Sequence, residues 1–292
     1  MRIRATVAAV TGALALSALV VPAAQAAGQG APSLDRPSVA ERFGTSSARS
    51  AFGVASAAPT VSNVTVNAGK NIVLGTTVAK TINVSLTASH PSGIEDAYID
   101  LWHGTDVQDD LNGWLPPNEE TASCTATSAT TSKCKLTITV RPGLHSDDGI
   151  GDLYANLLAG TWHVTAAALS KDGEVYSNDF YKTHKVQRLS KLTVNASPEP
   201  VKKGKTITVV GKLSRANWED GKYHGYTGQP VKLQFRKKNS NTYSTVKTIK
   251  TNSTGNLSTT VKASVDGYFR YAFAGTSTTP AVNATGDFVD VR

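Results

Sequence analysis

Beyond residue 58 apolar and polar residues alternate along most of the chain, the period of strands with one buried face. Val61, Val64 and Val66 open the pattern, and Ile82, Val84 and Leu86 continue it in strict alternation, which marks them as core positions. Further strands are expected at 97–103, 135–140, 161–169 and 182–187, with Trp162, Val164, Ala166 and Ala168 on one face. Residues 152–159 read instead as a short helical turn. Turns are marked by Pro91-Ser92-Gly93, Pro142-Gly143 and Lys171-Asp172-Gly173, and their irregular spacing predicts long loops between the strands. From residue 189 the alternation is cleaner, with seven candidate strands at 191–197, 205–213, 230–236, 243–250, 256–263, 267–274 and 285–291. Ile207 and Val209, then Val231, Leu233 and Phe235, then Phe269, Tyr271 and Phe273 alternate as one buried face should. Seven short strands punctuated by Gly and Pro predict a sandwich.

Two segments ahead of this pattern lack it. Arg2 and Arg4 precede an apolar stretch of fourteen residues, Ala8 to Val21, and Ala24-Gln25-Ala26 offers a small-x-small site, so residues 1–26 read as a signal peptide cleaved after Ala26. The run is too short for a membrane-spanning anchor, which needs about 18 or more apolar residues. Residues 27–58 are rich in Ala, Ser, Gly and Pro and carry few large apolar side chains. Burial there cannot offset the entropy of ordering, so a flexible lead is expected. The 266 residues that remain after cleavage suffice for two domains, set here at 59–188 and 189–292.

Export changes the reading of the two cysteines. Cys124 and Cys134 flank a Thr-rich stretch and precede the alternating Leu136, Ile138 and Val140, so in an oxidising compartment they are expected to form a disulfide across a hairpin. Their spacing fits neither a C-x-x-C redox pair nor half a zinc finger. No cysteine of the leader offers a lipid anchor. The closing run Asp287-Phe288-Val289-Asp290-Val291-Arg292 alternates like a strand, without a hydrophobic tail or an LPxTG wall-sorting signal. A secreted, extracellular protein with no transmembrane segment in its mature chain is expected, released or loosely held on the wall.

The net charge of +8 divides unevenly. Residues 59–188 hold nine basic against fourteen acidic residues, net −5, and residues 189–292 hold sixteen against six, net +10. A module this basic is drawn to anionic wall polymers and acidic glycans outside the cell. Lys202, Lys203, Lys205, Lys237, Lys238, Lys247 and Lys250 serve either that attraction or the solubility of exposed strand edges. No dedicated nucleic-acid site is expected.

Two clusters are candidates for binding. The stretch 214–229 contains Trp218, Tyr223, His224 and Tyr226 beside Glu219 and Asp220. Aromatic faces with adjacent carboxylates suit a sugar-binding loop, and the same rings suit a lid folded over the end of a sandwich. The second cluster is acidic. Asp147, Asp148 and Asp152, together with Asp106, Asp109 and Asp110, offer hard oxygen ligands for Ca2+, although their spacing departs from the EF-hand pattern and also suits solvated loop carboxylates. The chain has no G-x-S-x-G, H-E-x-x-H, phosphate-binding loop or dinucleotide fingerprint, and its six histidines, His90, His103, His145, His163, His184 and His224, stand singly. No catalytic residues are assigned, no cofactor is required, and the chain is not expected to be an enzyme.

The string Leu192-Thr-Val-Asn-Ala-Ser-Pro-Glu-Pro-Val-Lys-Lys-Gly-Lys-Thr, with Gly228-Gln-Pro-Val-Lys-Leu-Gln-Phe-Arg, Thr254-Gly255-Asn256 and Gly267-Tyr-Phe-Arg-Tyr-Ala-Phe-Ala-Gly275, resembles immunoglobulin-like modules of secreted proteins from high-GC Gram-positive bacteria. Gly160-Thr-Trp162 and Asp172-Gly173 make residues 59–188 similar to a more loosely patterned Ig-like partner. The resemblance implies an all-β chain of two tandem Ig-like β-sandwiches, with fibronectin-like or transthyretin-like topology as variants, and implies no assigned site. The expected function is binding or adhesion at the cell surface, to an anionic wall polymer or glycan. A purely structural matrix module is the alternative, and an accessory to polysaccharide or wall hydrolysis comes third.

Overall fold

The alternating pattern becomes two stacked-sheet cores in the computed structural model, which describes residues 34–44 and 57–292. The leader expected at residues 1–26 lies outside the described residues. The first sandwich is built from β1 (Thr60–Val66), β2 (Ile72–Leu74), β3 (Lys80–Ser89), β4 (Ile94–Asp106), β5 (Asp110–Leu115), β6 (Ser123–Ala126), β7 (Thr131–Pro142), β8 (Asp152–Leu153), β9 (Gly160–Ser170) and β10 (Val175–Arg188). One sheet runs β1-β3-β7-β6 with β8 beside β7, and the other runs β2-β10-β9-β4-β5. Ile82, Val84 and Leu86 meet Trp162, Val164, Ala166 and Ala168 in the core between them, as the alternation requires. Gly113 lets β5 cross close over this core, since a Cβ there would come within 2.8 Å of the Trp162 ring.

The second sandwich comprises β11 (Ser190–Leu192), β12 (Asn195–Ser197), β13 (Thr206–Asn217), β14 (Lys222–Gly225), β15 (Pro230–Lys237), β16 (Ser244–Lys250), β17 (Asn256–Lys262), β18 (Gly267–Phe273), β19 (Val282–Asn283) and β20 (Asp287–Val289). In one sheet β13 is the spine and pairs with β11, β12, β14 and β17; the other sheet runs β16-β15-β18-β19, with β20 also on β18. Ile207, Val209, Val231, Leu233, Phe269, Tyr271 and Phe273 fill the core.

Two expectations need correction. The stretch 214–229 is not one long connection: β13 continues to Asn217 and β14 pairs back along it, with Gly221 taking a φ of +67° in the turn. Residues 34–44, expected to lie in a flexible lead, are packed on the outer face of the β2-β10-β9-β4-β5 sheet. Within them α1 (Val39–Arg42) is closed by a capping box between Ser38 and Glu41, and Val39 is buried against Tyr98 and Ala167. Composition missed this because the segment's hold depends on one charged residue, Arg36, rather than on an apolar run.

Candidate functional site

The aromatic candidates of 214–229 do not converge on one surface. Trp218 is only 1% exposed and belongs to the core of the first sandwich, although the second sandwich carries it. Its indole N–H donates to the Gly75 carbonyl at 3.0 Å, and its backbone N–H donates to Asn156 Oδ1 at 3.1 Å. Tyr226 turns the other way, into the second core, with its ring edge-on to Phe273 and beneath the Arg215 guanidinium at 3.9 Å. Tyr223 packs partly against the first core, with Lys191 Nζ 3.7 Å from its ring centre. His224 pairs with Asp220 at 2.5 Å on the surface. The sugar-binding reading of Trp218 is therefore corrected: the ring is a lid, and the sandwich it closes is the neighbouring one.

Around Trp218 the chain passes from β10 to β11 through Leu189 alone. Gln187 Nε2 donates to the carbonyls of Thr276 and Ser277 at 3.0 and 3.2 Å, and Asn156 Nδ2 donates to Asn217 Oδ1 at 2.6 Å. Arg188 is buried and donates from Nε to the Ala216 carbonyl at 2.6 Å. Burial, with repulsion from Arg215, pushes its guanidinium down to about 10, which leaves it charged at neutral pH. These contacts tie the ends of the two cores together beside Trp218.

The acidic candidates are likewise not a ligand set. Asp152 is fully buried, and its oxygens accept from Arg141 Nε at 2.6 Å and from the backbone N–H groups of His145 and Ser146 at 2.6 and 3.1 Å. A carboxylate already neutralised by arginine is a poor calcium ligand. Asp148 is exposed and accepts from the Ile150 N–H, while Asp106 and Asp110 accept from their own loop. Among the described residues no group of three acidic, His or Cys side chains is placed to hold a metal ion. The cysteines do meet: Cys124 and Cys134 are direct cross-strand partners on β6 and β7 and form the disulfide.

A buried ionic socket lies under residues 34–44. Arg36, with its side chain 3% exposed, donates to Asp100 at 2.7 and 3.3 Å, to Asp179 Oδ1 at 2.8 Å and to Thr165 Oγ1 at 2.9 Å. Asp100 also accepts from the Tyr98 hydroxyl at 2.8 Å and the Trp114 indole N–H at 2.7 Å. Burial alone would lower the Arg36 guanidinium, but Asp100 and Asp179 outweigh it and hold the charge more firmly than usual. Burial, then Asp100, raises the Tyr98 phenol. Removing one partner of such a buried pair costs about 3 to 5 kcal/mol. The trace of this socket in the sequence is Asp100 in the middle of an apolar strand, where a carboxylate needs a hidden cation.

The second sandwich presents a different arrangement on its outer face, made by the residues that alternate with the core positions of β15 and β18. Arg236 is the cross-strand partner of Tyr268, Gln234 of Arg270, and Tyr268 of Phe288. The Arg236 guanidinium lies 3.8 Å from the Tyr268 ring centre, and Arg270 lies 3.8 Å from that of Tyr243. Arg236 is also 5.4 Å from Tyr243, Lys238 Nζ is 5.4 Å from Phe288, and Phe288 is 5.1 Å from Tyr268. Charged and aromatic planes thus alternate across a half-buried sheet surface. Each arginine places a donor on a neutral acceptor: Arg236 on the Ser240 carbonyl at 2.8 Å and Arg270 on Gln234 Oε1 at 2.9 Å. Among the described residues neither guanidinium is paired with a carboxylate, although the neighbouring Lys238 lies 3.7 Å from Asp266; guanidinium groups fixed by stacking in this way keep donors for an anion. Of the lysines singled out by charge, Lys202, Lys203, Lys205, Lys237, Lys238 and Lys250 are exposed. Lys247 instead bridges the two sheets, donating to Thr259 Oγ1 at 2.9 Å and the Thr260 carbonyl at 2.8 Å.

No family model matches the chain, and no curated protein matches it. Among solved structures it is similar to the D00-D0 domain of Intimin, at 16% identity and a TM-score of 0.25, covering 78% of this chain and 99% of that one. It is also similar to a tetra-tandem repeat from the extending region of a large adhesion protein (15%, 0.29, 80% and 48%) and to the Yersinia pseudotuberculosis adhesin InvE (15%, 0.23, 78% and 58%). The chain spans about half of the tetra-tandem repeat. At these TM-scores the likenesses carry no argument about what this chain binds. Among the described residues no helix is long and apolar enough to cross a membrane.

Proposed function

We propose that this is a secreted, non-enzymatic surface-binding protein whose second sandwich recognises an anionic wall polymer or acidic glycan. The observation that carries this reading is the face formed by Arg236, Arg270, Tyr243 and Tyr268, where the stacked guanidinium groups pair with no carboxylate among the described residues. Guanidinium forks match phosphate and carboxylate geometry, and tyrosine rings offer flat faces to sugar rings. The surrounding +10 field draws a polyanion to this face and makes capture sensitive to salt. The leader at residues 1–26 supports export, and the disulfide suits an oxidising compartment. The close joint around Trp218 favours a second reading, a stiff structural spacer, and the two roles are compatible.

The test is a glycan and wall-polymer array probed with the chain and with Arg236→Ala/Arg270→Ala. Salt-sensitive retention that the double variant loses, with its melting temperature unchanged, supports recognition by this face. Retention unaffected by the double variant refutes it, and a blank array leaves the spacer.

A further inference from the structure

We infer that the ligand of the second sandwich is a linear phosphodiester whose phosphates are joined through three carbons, a glycerol phosphate chain, laid along β15. This rests on the reading of the outer face of β15 and β18 as an anion-binding surface, and it specifies what that face selects. Val231 and Leu233 are fully buried and Phe235 packs on the same core, so the residues between and after them, Lys232, Gln234 and Arg236, point to the outer face. Lys238 follows on that side, with Nζ 5.4 Å from the Phe288 ring centre. The Gln234 position carries a cation too. Arg270, its cross-strand partner, donates from Nε to Gln234 Oε1 at 2.9 Å, which draws the guanidinium toward β15. Four cations, Lys232, Arg270, Arg236 and Lys238, thus follow one strand at every second residue. Same-face positions repeat about every 7 Å, which makes a track about 20 Å long.

The two arginines each keep a complete pair of donors. Arg236 is bonded through Nη1 and Arg270 through Nε, so among the described residues Nε and Nη2 of the first, and Nη1 and Nη2 of the second, have no acceptor. Each pair matches the two unesterified oxygens of one phosphodiester. The shared Tyr243 ring, 5.4 Å from Arg236 and 3.8 Å from Arg270, keeps the two guanidinium groups close together. Among the described residues only Lys238, at the end of the track, is paired with a carboxylate, Asp266 at 3.7 Å. The spacing selects the ligand. As many bonds join alternate Cα atoms of a strand as join successive phosphorus atoms across a three-carbon bridge, so an extended chain of that kind keeps step with the cations. A longer polyol bridge outruns them. A uronate polymer carries its charge on rings beside the chain, which stand off a track one strand wide.

The probes are synthetic glycerol phosphate oligomers of increasing length, a galacturonate oligomer and oligo(dT) of matched charge, each titrated calorimetrically into the full chain. Affinity for glycerol phosphate is expected to rise steeply up to four phosphates and to flatten beyond, as the track fills. A rise without a break would come from the diffuse charge of the module and overturns the inference. Lys232 is exposed and outside the aromatic stack, so Lys232→Ala is expected to keep the melting temperature and to weaken the four-phosphate oligomer about two- to fivefold. An unchanged affinity in that variant overturns the track. Oligo(dT) shares the phosphate spacing, but its sugars and bases hold it off a sheet face, and weaker binding is expected; binding as tight as that of glycerol phosphate assigns the track to nucleic acid and overturns the inference. A galacturonate oligomer held as tightly as glycerol phosphate, and released by Arg236→Ala/Arg270→Ala, also overturns it while leaving the anion-binding face in place. Blank titrations with every probe remove the face itself.

Discussion

The indole N–H of Trp218, on a turn of the second sandwich, donates to the carbonyl of Gly75 in the first at 3.0 Å, and the ring behind it is 1% exposed. A core residue supplied from outside its own sandwich couples the stability of the two. Trp218→Ala is expected to cost about 3 to 5 kcal/mol, the range for emptying a large aromatic site. Calorimetry should show one melting transition for the parent chain and two for the variant. A single, unshifted transition in Trp218→Ala would count against the coupling.

The disulfide closes a short loop at the edge strand β6, whose pairing with β7 covers only four residues on each side. On the chain-entropy estimate it stabilises by about 3 kcal/mol. Cys124→Ser/Cys134→Ser should therefore lower the urea midpoint, and adding reductant to the parent chain should reproduce the shift. Added reductant should leave the double variant unchanged.

Tyr271 provides a pH signature. It is fully buried, its hydroxyl donates to the Val209 carbonyl at 2.8 Å, and burial pushes the phenol up from 10.0 to about 12. A group whose folded pKa is raised contributes stability that is complete below its unfolded pKa and is lost as pH climbs through the folded one. The window here runs from pH 10 to about 12. Tyr271→Phe cannot ionise, so its stability should fall less steeply across that window than the parent's, after a loss of about 1 kcal/mol at neutral pH from the missing hydrogen bond. Parallel curves in chemical denaturation at stepped pH would contradict this.

At the outer face of β15 and β18, each arginine removed should reduce the slope of log affinity against log salt by about 1 for a phosphate-bearing polymer. Arg236→Ala and Arg270→Ala, titrated singly with polyphosphate at several salt concentrations, give that slope directly. Lys247→Ala is the informative contrast. Because Lys247 bridges β16 to β17 through Thr259 and Thr260, its loss should lower stability and leave the slope unaltered.

Alternation alone located most of the strands, because Ile82, Val84 and Leu86, or Phe269, Tyr271 and Phe273, have no other way to share a buried face. It missed β2, whose three residues are too few to show a period, and β14, whose four residues Lys222–Gly225 are likewise too few and carry a single core-facing ring, Tyr223. The cysteine pair was legible from its spacing and from the export expected of the chain. Trp218 was legible as a lid, but its destination was not, since nothing local distinguishes the end of one sandwich from that of its neighbour. The socket and the arginine face escaped for a related reason. Arg36 and Asp100 lie 64 residues apart, and Arg236, Tyr268 and Phe288 become neighbours only through strand register. Charge summed over a module suggests only the sign of a proposed partner, whereas the face proposed to meet it depends on tertiary pairing.

The joint at Leu189 also has a mechanical consequence. A pull that separates the two sandwiches cannot be absorbed by paying out slack, because one residue intervenes between β10 and β11. The load falls on extraction of an aromatic ring and on simultaneous rupture of the bonds from Gln187, Arg188 and Asn156. Under tension this pair of sandwiches should behave as one stiff strut that yields abruptly, where a jointed chain would lengthen by degrees.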